Sequence, residues 1–220
     1  MYVSEVSVMV ECRRVSFTVW MSPPPPCVSV AATWRRSRRV MGGRSVVART
    51  RRNPSAFTAL EAEARAGRIG GYGVATWTGF DGALSVADLL KIATHCGGRG
   101  HHLSAIQLPV SLVMLKPVAQ ALEGTGPLAE ATAAGLDTFI SAPLHGGELP
   151  TMVTDELARL IDPGTTPAEA ALRVTAYTPG VNHVLLGSGN AQHWEAAQRV
   201  LALPPLPDKT LHEVIDVLGA

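Results

Sequence analysis

Lysine is nearly absent from this chain: only Lys91, Lys116 and Lys209 occur in 220 residues. Cysteine is as scarce. Cys12, Cys27 and Cys96 are too few and too scattered for a disulfide framework, so a reducing compartment is the expectation. No run reaches the roughly 18 consecutive apolar residues of a membrane span. The N-terminal MYVSEVSVMVE places an acid where a signal peptide wants a base and has no continuous apolar core, so secretion is not expected and the cytoplasm is. Charged residues make up 17 % and apolar residues 46 %, which argues against general disorder. The length suits one domain with a sizeable core, or a domain and a tail.

The net charge of +1 conceals two different compositions. Residues 1–52 carry ten arginines against Glu5 and Glu11, whereas residues 53–220 carry nine basic and sixteen acidic groups. The first part includes SPPPPC, RRSRR and RTRR. Its tetraproline favours polyproline II and stops any helix or central strand. VSFTVW could form one short strand, but nothing near it offers a partner. Arginine clusters can dock on phosphates. Here no binding fold accompanies them and lysine is missing, so nucleic acid is not the expected partner. Residues 1–52 read as a disordered leader.

From residue 55 the pattern becomes regular. SAFTALEAEARAG predicts a helix with Ser55 as N-cap and Gly67 just past its end. GGYGVATW predicts a strand. SVADLLKIATHCGG predicts a helix with Ser85 near its start. SAIQLPVSL is the next strand, PLAEATAAG a helix stopped by Gly135, and DTFISAPL a third strand. VTDELARLI and PAEAALRVTAY are helices, VNHVLLGSG a fourth strand, and AQHWEAAQRVLAL and KTLHEVIDVLG the closing helices. Apolar strands alternating with amphipathic helices mean parallel βα units. The pattern alone does not choose between an open sheet and part of a barrel.

Four segments then make the choice. GRIGGYGVATW, SAIQLPVSLVM, ISAPLHGGEL and TPAEAALRVTAYTPGVNHVLLGSGNAQHWEAAQ occur in an order and spacing that resemble the C-terminal half of the aldo-keto reductases, NADP-dependent (β/α)8 barrels. The resemblance covers about residues 55–205, and YGVATW resembles a bacterial branch of that family. It implies a partial TIM barrel comprising strands five to eight, behind the N-terminal leader.

The same resemblance implies cofactor contacts. Ala75 and Thr76 stand where the family presents a hydroxyl or amide pair to the nicotinamide carboxamide, and only Thr76 keeps a polar side chain. Gln107 matches the glutamine that binds the same carboxamide. Ser141 replaces an aromatic that stacks on the nicotinamide in many members. The backbone around Ala142, Leu144 and Gly146 matches the segment passing the pyrophosphate. Gly187, Ser188 and His193 match the loop gripping the adenosine 2′-phosphate. With histidine in place of a permanent cation, that grip should be weaker and depend on pH. Each residue also has a plain structural reading: Thr76 as packing, Ser188 as a turn cap, His193 as an exposed helix residue. Gln107 is hardest to explain so, because a buried amide needs partners.

The family's chemistry needs a tyrosine general acid tuned by lysine, aspartate and histidine, all from the first half of the barrel. A phenol near pKa 10 must be shifted to work near neutrality. None of the four is found in residues 1–54: Tyr2 has no acidic partner at suitable spacing, and no lysine precedes Lys91. Arg52-Asn53-Pro54 resembles the His-Asn-Pro ending strand four in that branch, with Arg52 in the histidine's place. The expectation is therefore a chain with no catalytic residue of its own and no useful turnover, or else a non-catalytic NADP-binding or regulatory remnant. The compositional break near residue 53 fits a frameshift or a misplaced start, and equally a genuine extension on a degenerate half-barrel. Four strands leave two unpaired edges, which predicts self-association.

HCGGRGHH (His95, Cys96, His101, His102) has the composition of a metal site but poor spacing, and reads as a solvated loop opposite the cofactor face. GSGN is too short for a dinucleotide fingerprint. His145 reads as an exposed loop residue, with a substrate-facing role as the alternative.

Overall fold

A computed structural model describes residues 21–22, 54–80 and 84–219. The expected leader, with Cys12, Cys27, Arg52 and VSFTVW, lies outside the described residues apart from Met21 and Ser22. In chain order the elements are β1 (Met21–Ser22), α1 (Ser55–Arg65), β2 (Gly71–Ala75), α2 (Val86–Gly97), β3 (Leu103–Pro109), α3 (Lys116–Leu122) and α4 (Gly126–Ala133). There follow β4 (Asp137–Ser141), α5 (Leu149–Met152), α6 (Asp155–Ile161), α7 (Pro167–Ala176), β5 (His183–Val184), α8 (Ala191–Leu201) and α9 (Asp208–Leu218).

Strands β2 to β5 pair in parallel and in sequence order, as the βα pattern requires. The register aligns Ala75, Gln107, Phe139 and His183 in one row across the sheet. Side chains alternate along a strand. Tyr72, Val74, Ile106, Leu108, Thr138 and Ile140 therefore belong to the opposite face, which is buried and packs against the helices. On the row's own face Gln107, Phe139 and His183 are only half-buried. There a cavity of about 10 Å³ lies between Gly73, Ala105, Gln107 and Phe139.

Helix ends follow local rules. Ser85 and Asp88 form a reciprocal capping box on α2, and Thr166 and Glu169 form another on α7. Gly67 sits just past α1 at φ 68°, its N–H donating to Ala64 O while Arg68 N donates to Glu63 O. These paired bonds close the helix, and the left-handed backbone is open to glycine without strain. The expected Ser55 cap is a correction: Pro54 occupies the cap position, with no side-chain cap bond, and Ser55 is the first helical residue.

Three further differences concern elements. The expected fourth strand contributes only His183–Val184, extended by Leu185 N donating to Ile140 O at 2.8 Å. Helices α3 and α5 were not expected; neither has a side-chain cap, and each is a few residues long with proline in its first turn. Finally, β1 was not expected: Met21 and Ser22 pair antiparallel with Tyr72 and Gly71 of β2.

The C-terminal helices are tied down by polar contacts. Buried Arg173 on α7 ion-pairs with Asp162 at 2.9 Å and donates to Val200 O at 3.1 Å and Pro204 O at 2.7 Å. Tyr177 donates from its phenol toward Leu201 O and Leu203 O. No helix among the described residues is long and apolar enough to cross a membrane.

Candidate functional site

Parallel strands present all their C-terminal ends at one edge of the sheet, and loops leaving that edge converge. In barrels of this kind the C-terminal face is where chemistry is placed. Thr76 follows β2 directly, and its amide donates to Gln107 O at 3.0 Å, so the first two expected contact residues are locked side by side. Thr76 Oγ1 accepts from Thr78 N at 3.2 Å and lies 3.1 Å from Thr78 Oγ1, which folds the loop back on itself. Ser141 ends β4 opposite Pro109, and its carbonyl accepts from Val110 N at 3.3 Å. Thr76, Gln107 and Ser141 are thus brought to adjacent strand ends.

The loop after β4 is conformationally unusual. Ala142 (φ 54°) and His145 (φ 49°) are the two non-glycine residues with positive φ among the described residues. Such backbone costs on the order of 1–3 kcal/mol per residue and is concentrated at ligand sites. Leu144 sits between them, accepting from Gly147 N at 2.9 Å and Leu149 N at 3.3 Å. Its side chain packs against the main core and also against the smaller cluster of Leu172, Ala197 and Val200. Through Leu144 this loop reaches the packing beneath α8.

Gly187, Ser188 and His193 form a separate group beyond β5. Ser188 Oγ lies 2.9 Å from His193 Nδ1 and accepts from Asn190 N at 3.1 Å, while Ser188 O accepts from Trp194 Nε1 at 3.0 Å. Asn190 caps α8 through Gln192 N. Gly187 and His193 are exposed. Ser188 therefore caps a turn and holds the histidine at once.

Two further residues stand beside these strand ends: Trp77, which was not singled out in the sequence, and His145, read there as an exposed loop residue with a substrate-facing role as the alternative. Trp77, next to Thr76, is 44 % exposed, and its ring lies 6.4 Å from that of His145 at 42°. His145 is half-buried rather than exposed, and its Nδ1 is buried without a hydrogen-bond partner. An indole directly after a strand end was the available signal for Trp77.

A second polar cluster lies at the opposite end of the strands. Glu61 of α1 is fully buried and accepts from Tyr72 OH, from His102 N and at Oε2 from the His102 ring, each at 2.8 Å. Burial raises the Glu61 carboxyl, but the hydrogen bonds from His102 and Tyr72 outweigh it and hold the group below its usual range. Burial and the neighbouring carboxylate push the Tyr72 phenol far above its ordinary value. The expected solvated HCGGRGHH loop is corrected accordingly: His102 is bound to a buried acid. Tyrosine, carboxylate and histidine together suggest acid–base chemistry, yet a phenol sealed in the core and made less acidic is the reverse of what a general acid requires. The cluster is structural. No group of three or more histidine, cysteine, aspartate or glutamate residues able to hold a metal occurs among the described residues.

No protein-family model matches the sequence, and no curated protein matches it. Solved structures do. A thermostable aldo-keto reductase, Tm1743, solved in complex with the inhibitor epalrestat, superposes with a TM-score of 0.55 at 16 % identity, covering 76 % of this chain and 54 % of its own. An aldo/keto reductase from Klebsiella pneumoniae, in complex with NADP and acetate, gives 0.55 at 17 % identity, covering 75 % and 54 %. The chain spans about half the length of these solved structures. Its fold is part of the barrel they contain, a run of parallel βα units corresponding to a partial TIM barrel.

Proposed function

We propose that the chain is the nicotinamide-cofactor half of an aldo-keto-reductase-like oxidoreductase, and that its C-terminal strand ends bind NADP. The observation that carries this reading is the adjacency of Thr76, Gln107 and Ser141 beside the positive-φ loop 142–147. The donor set suits such a ligand. Thr76 and the Gln107 amide would hold the carboxamide, and the backbone around Ala142, Leu144 and Gly146 would pass the pyrophosphate, the His145 and Gly147 amides being bonded within the loop to Ala142 O and Leu144 O. Ser188 and His193 would meet the 2′-phosphate. When bound, the cofactor supplies the hydride exchanged with a small carbonyl or alcohol.

One observation favours binding without turnover for this chain alone. Hydride transfer to a carbonyl needs a proton donor, and neither described tyrosine is placed to serve. Tyr72 is buried against Glu61, and Tyr177 is spent on the carbonyls of Leu201 and Leu203. Absence of a positioned acid costs on the order of 10²–10⁴-fold in rate. The working compartment we infer is the cytoplasm, consistent with the free thiol of Cys96. Neither a membrane nor nucleic acid belongs to this reading.

Calorimetric titration with NADPH tests it. Saturable binding by the wild type is expected, weakened roughly fivefold in Gln107→Ala for the loss of a hydrogen-bonded amide worth about 1 kcal/mol. Aldehyde reduction by the chain alone should stay at background. Absence of NADPH binding would remove the reading.

A further inference from the structure

Ser141 leaves the proposed nicotinamide position without a stacking ring, and Trp77 and His145 stand close by on the two loops that flank β3. Resting on the cofactor reading above, we propose that Trp77 and His145 form a two-loop clamp that grips the nicotinamide ring and favours its oxidised, cationic form.

Trp77 immediately follows Thr76, whose amide is fixed to Gln107 at the end of β3. His145 opens the turn after β4. The pair therefore reaches across the β3 strand end from both sides. A planar ring in van der Waals contact with two flanking rings needs about 3.5 Å on each side, or roughly 7 Å between their centres. The observed 6.4 Å, with the planes open by 42°, is a wedge slightly narrower than that. Small movements of two loops would admit the ring.

Three features separate this pair from ordinary packing. Trp77 leaves 44 % of its surface in water, although indoles are on average well buried. His145 holds a strained left-handed backbone. Its Nδ1 is buried without a partner, a state that native proteins rarely leave uncorrected. A ligand ring between the two would cover the exposed indole and the imidazole face. The indole face is the strongest aromatic partner for a cation, so a pyridinium ring gains more from it than the neutral dihydropyridine does.

The test compares three probes by calorimetry on the full chain: NADP⁺, NADPH, and 2′,5′-ADP, which has no nicotinamide. Trp77→Ala should weaken NADP⁺ about tenfold and NADPH less, leave 2′,5′-ADP unchanged, and lose no thermal stability because the side chain is exposed. Trp77→Phe should recover most of the affinity. His145→Asn, chosen because asparagine tolerates the left-handed backbone, should weaken NADP⁺ several-fold. Unchanged NADP⁺ affinity in Trp77→Ala, while the wild type binds 2′,5′-ADP, overturns the clamp and leaves the cofactor reading standing. Equal losses for all three probes also overturn it, since the indole would then be holding the loop rather than the ring. A wild type that binds none of them overturns both readings.

Discussion

Glu61 accepts three hydrogen bonds in a site closed to water, and removing it would strand the Tyr72 hydroxyl and the His102 amide. Each unsatisfied buried group costs about 1–3 kcal/mol, so Glu61→Ala should lose about 3 kcal/mol in urea unfolding, and Tyr72→Phe less than half of that. The carboxyl also sets a pH dependence. Its folded pKa lies below its unfolded value of about 4.3, so its contribution is whole above that value and disappears as pH falls through the folded one. Glu169 shifts in the same direction, held by Thr166 and Arg199 against its own burial. Both acids therefore steepen acid unfolding. Glu61→Gln should flatten the loss of stability below about pH 5 relative to wild type, and unfolding curves measured down the acid range would show an unchanged slope if the carboxylate were idle. Glu61 was not singled out in the sequence. Phe57, Glu61 and Ala64 are the buried residues of α1, at spacings of four and three, which is the signal that could have placed the acid on the inner face. Composition argued the other way, because glutamate is rarely buried without a partner, and the partners lie far along the chain.

At the scale of elements, α1 and α2 approach closely because Gly97 has no side chain. A Cβ there would come within 2.5 Å of the Glu61 carboxyl carbon, inside the hydrogen-bonded cluster. Gly97→Ala should destabilise by about 1–3 kcal/mol through overpacking. Its cost should shrink in a Glu61→Ala background, where the space is vacated, so a double-mutant cycle reads the coupling directly. Simple additivity would mean that the two helices separate by another route. The parallel strands, the Ser85 start and the Gly67 and Gly135 stops were readable because each depends on a few adjacent residues. The short α3 was not, since Leu115 at its cap position has no side chain able to cap it. The length of β5 was not readable either. VNHVLLGSG has the composition of a full strand, but the number of residues that pair is decided by the neighbouring strand, which local sequence does not describe. Among site residues, the adjacency of Thr76 and Gln107 was implied by the family resemblance, which put both at one carboxamide, and the parallel pairing of β2 with β3 brings them together. The contact between Trp77 and His145 depends on how two loops fold over a third strand.

The whole molecule presents a sheet with unequal edges. Among the described residues, the Gly71–Tyr72 part of β2 is taken by β1, which leaves Gly73–Ala75 on that side and the short β5 on the other. Weak self-association through these edges is the expected behaviour, visible as concentration-dependent sedimentation and reduced by His183→Lys, a charge of the kind that discourages edge pairing. A single monomeric species at every concentration would contradict it. The order of strands in the sheet is the order of strands in the chain. On a ribosome, each of β3, β4 and β5 therefore emerges to find its partner already made, and the contacts it must form are with the segment just synthesised. Assembly could proceed unit by unit during translation, without waiting for the C-terminus. Among the described strands, only β1 has to be held in reserve until β2 appears.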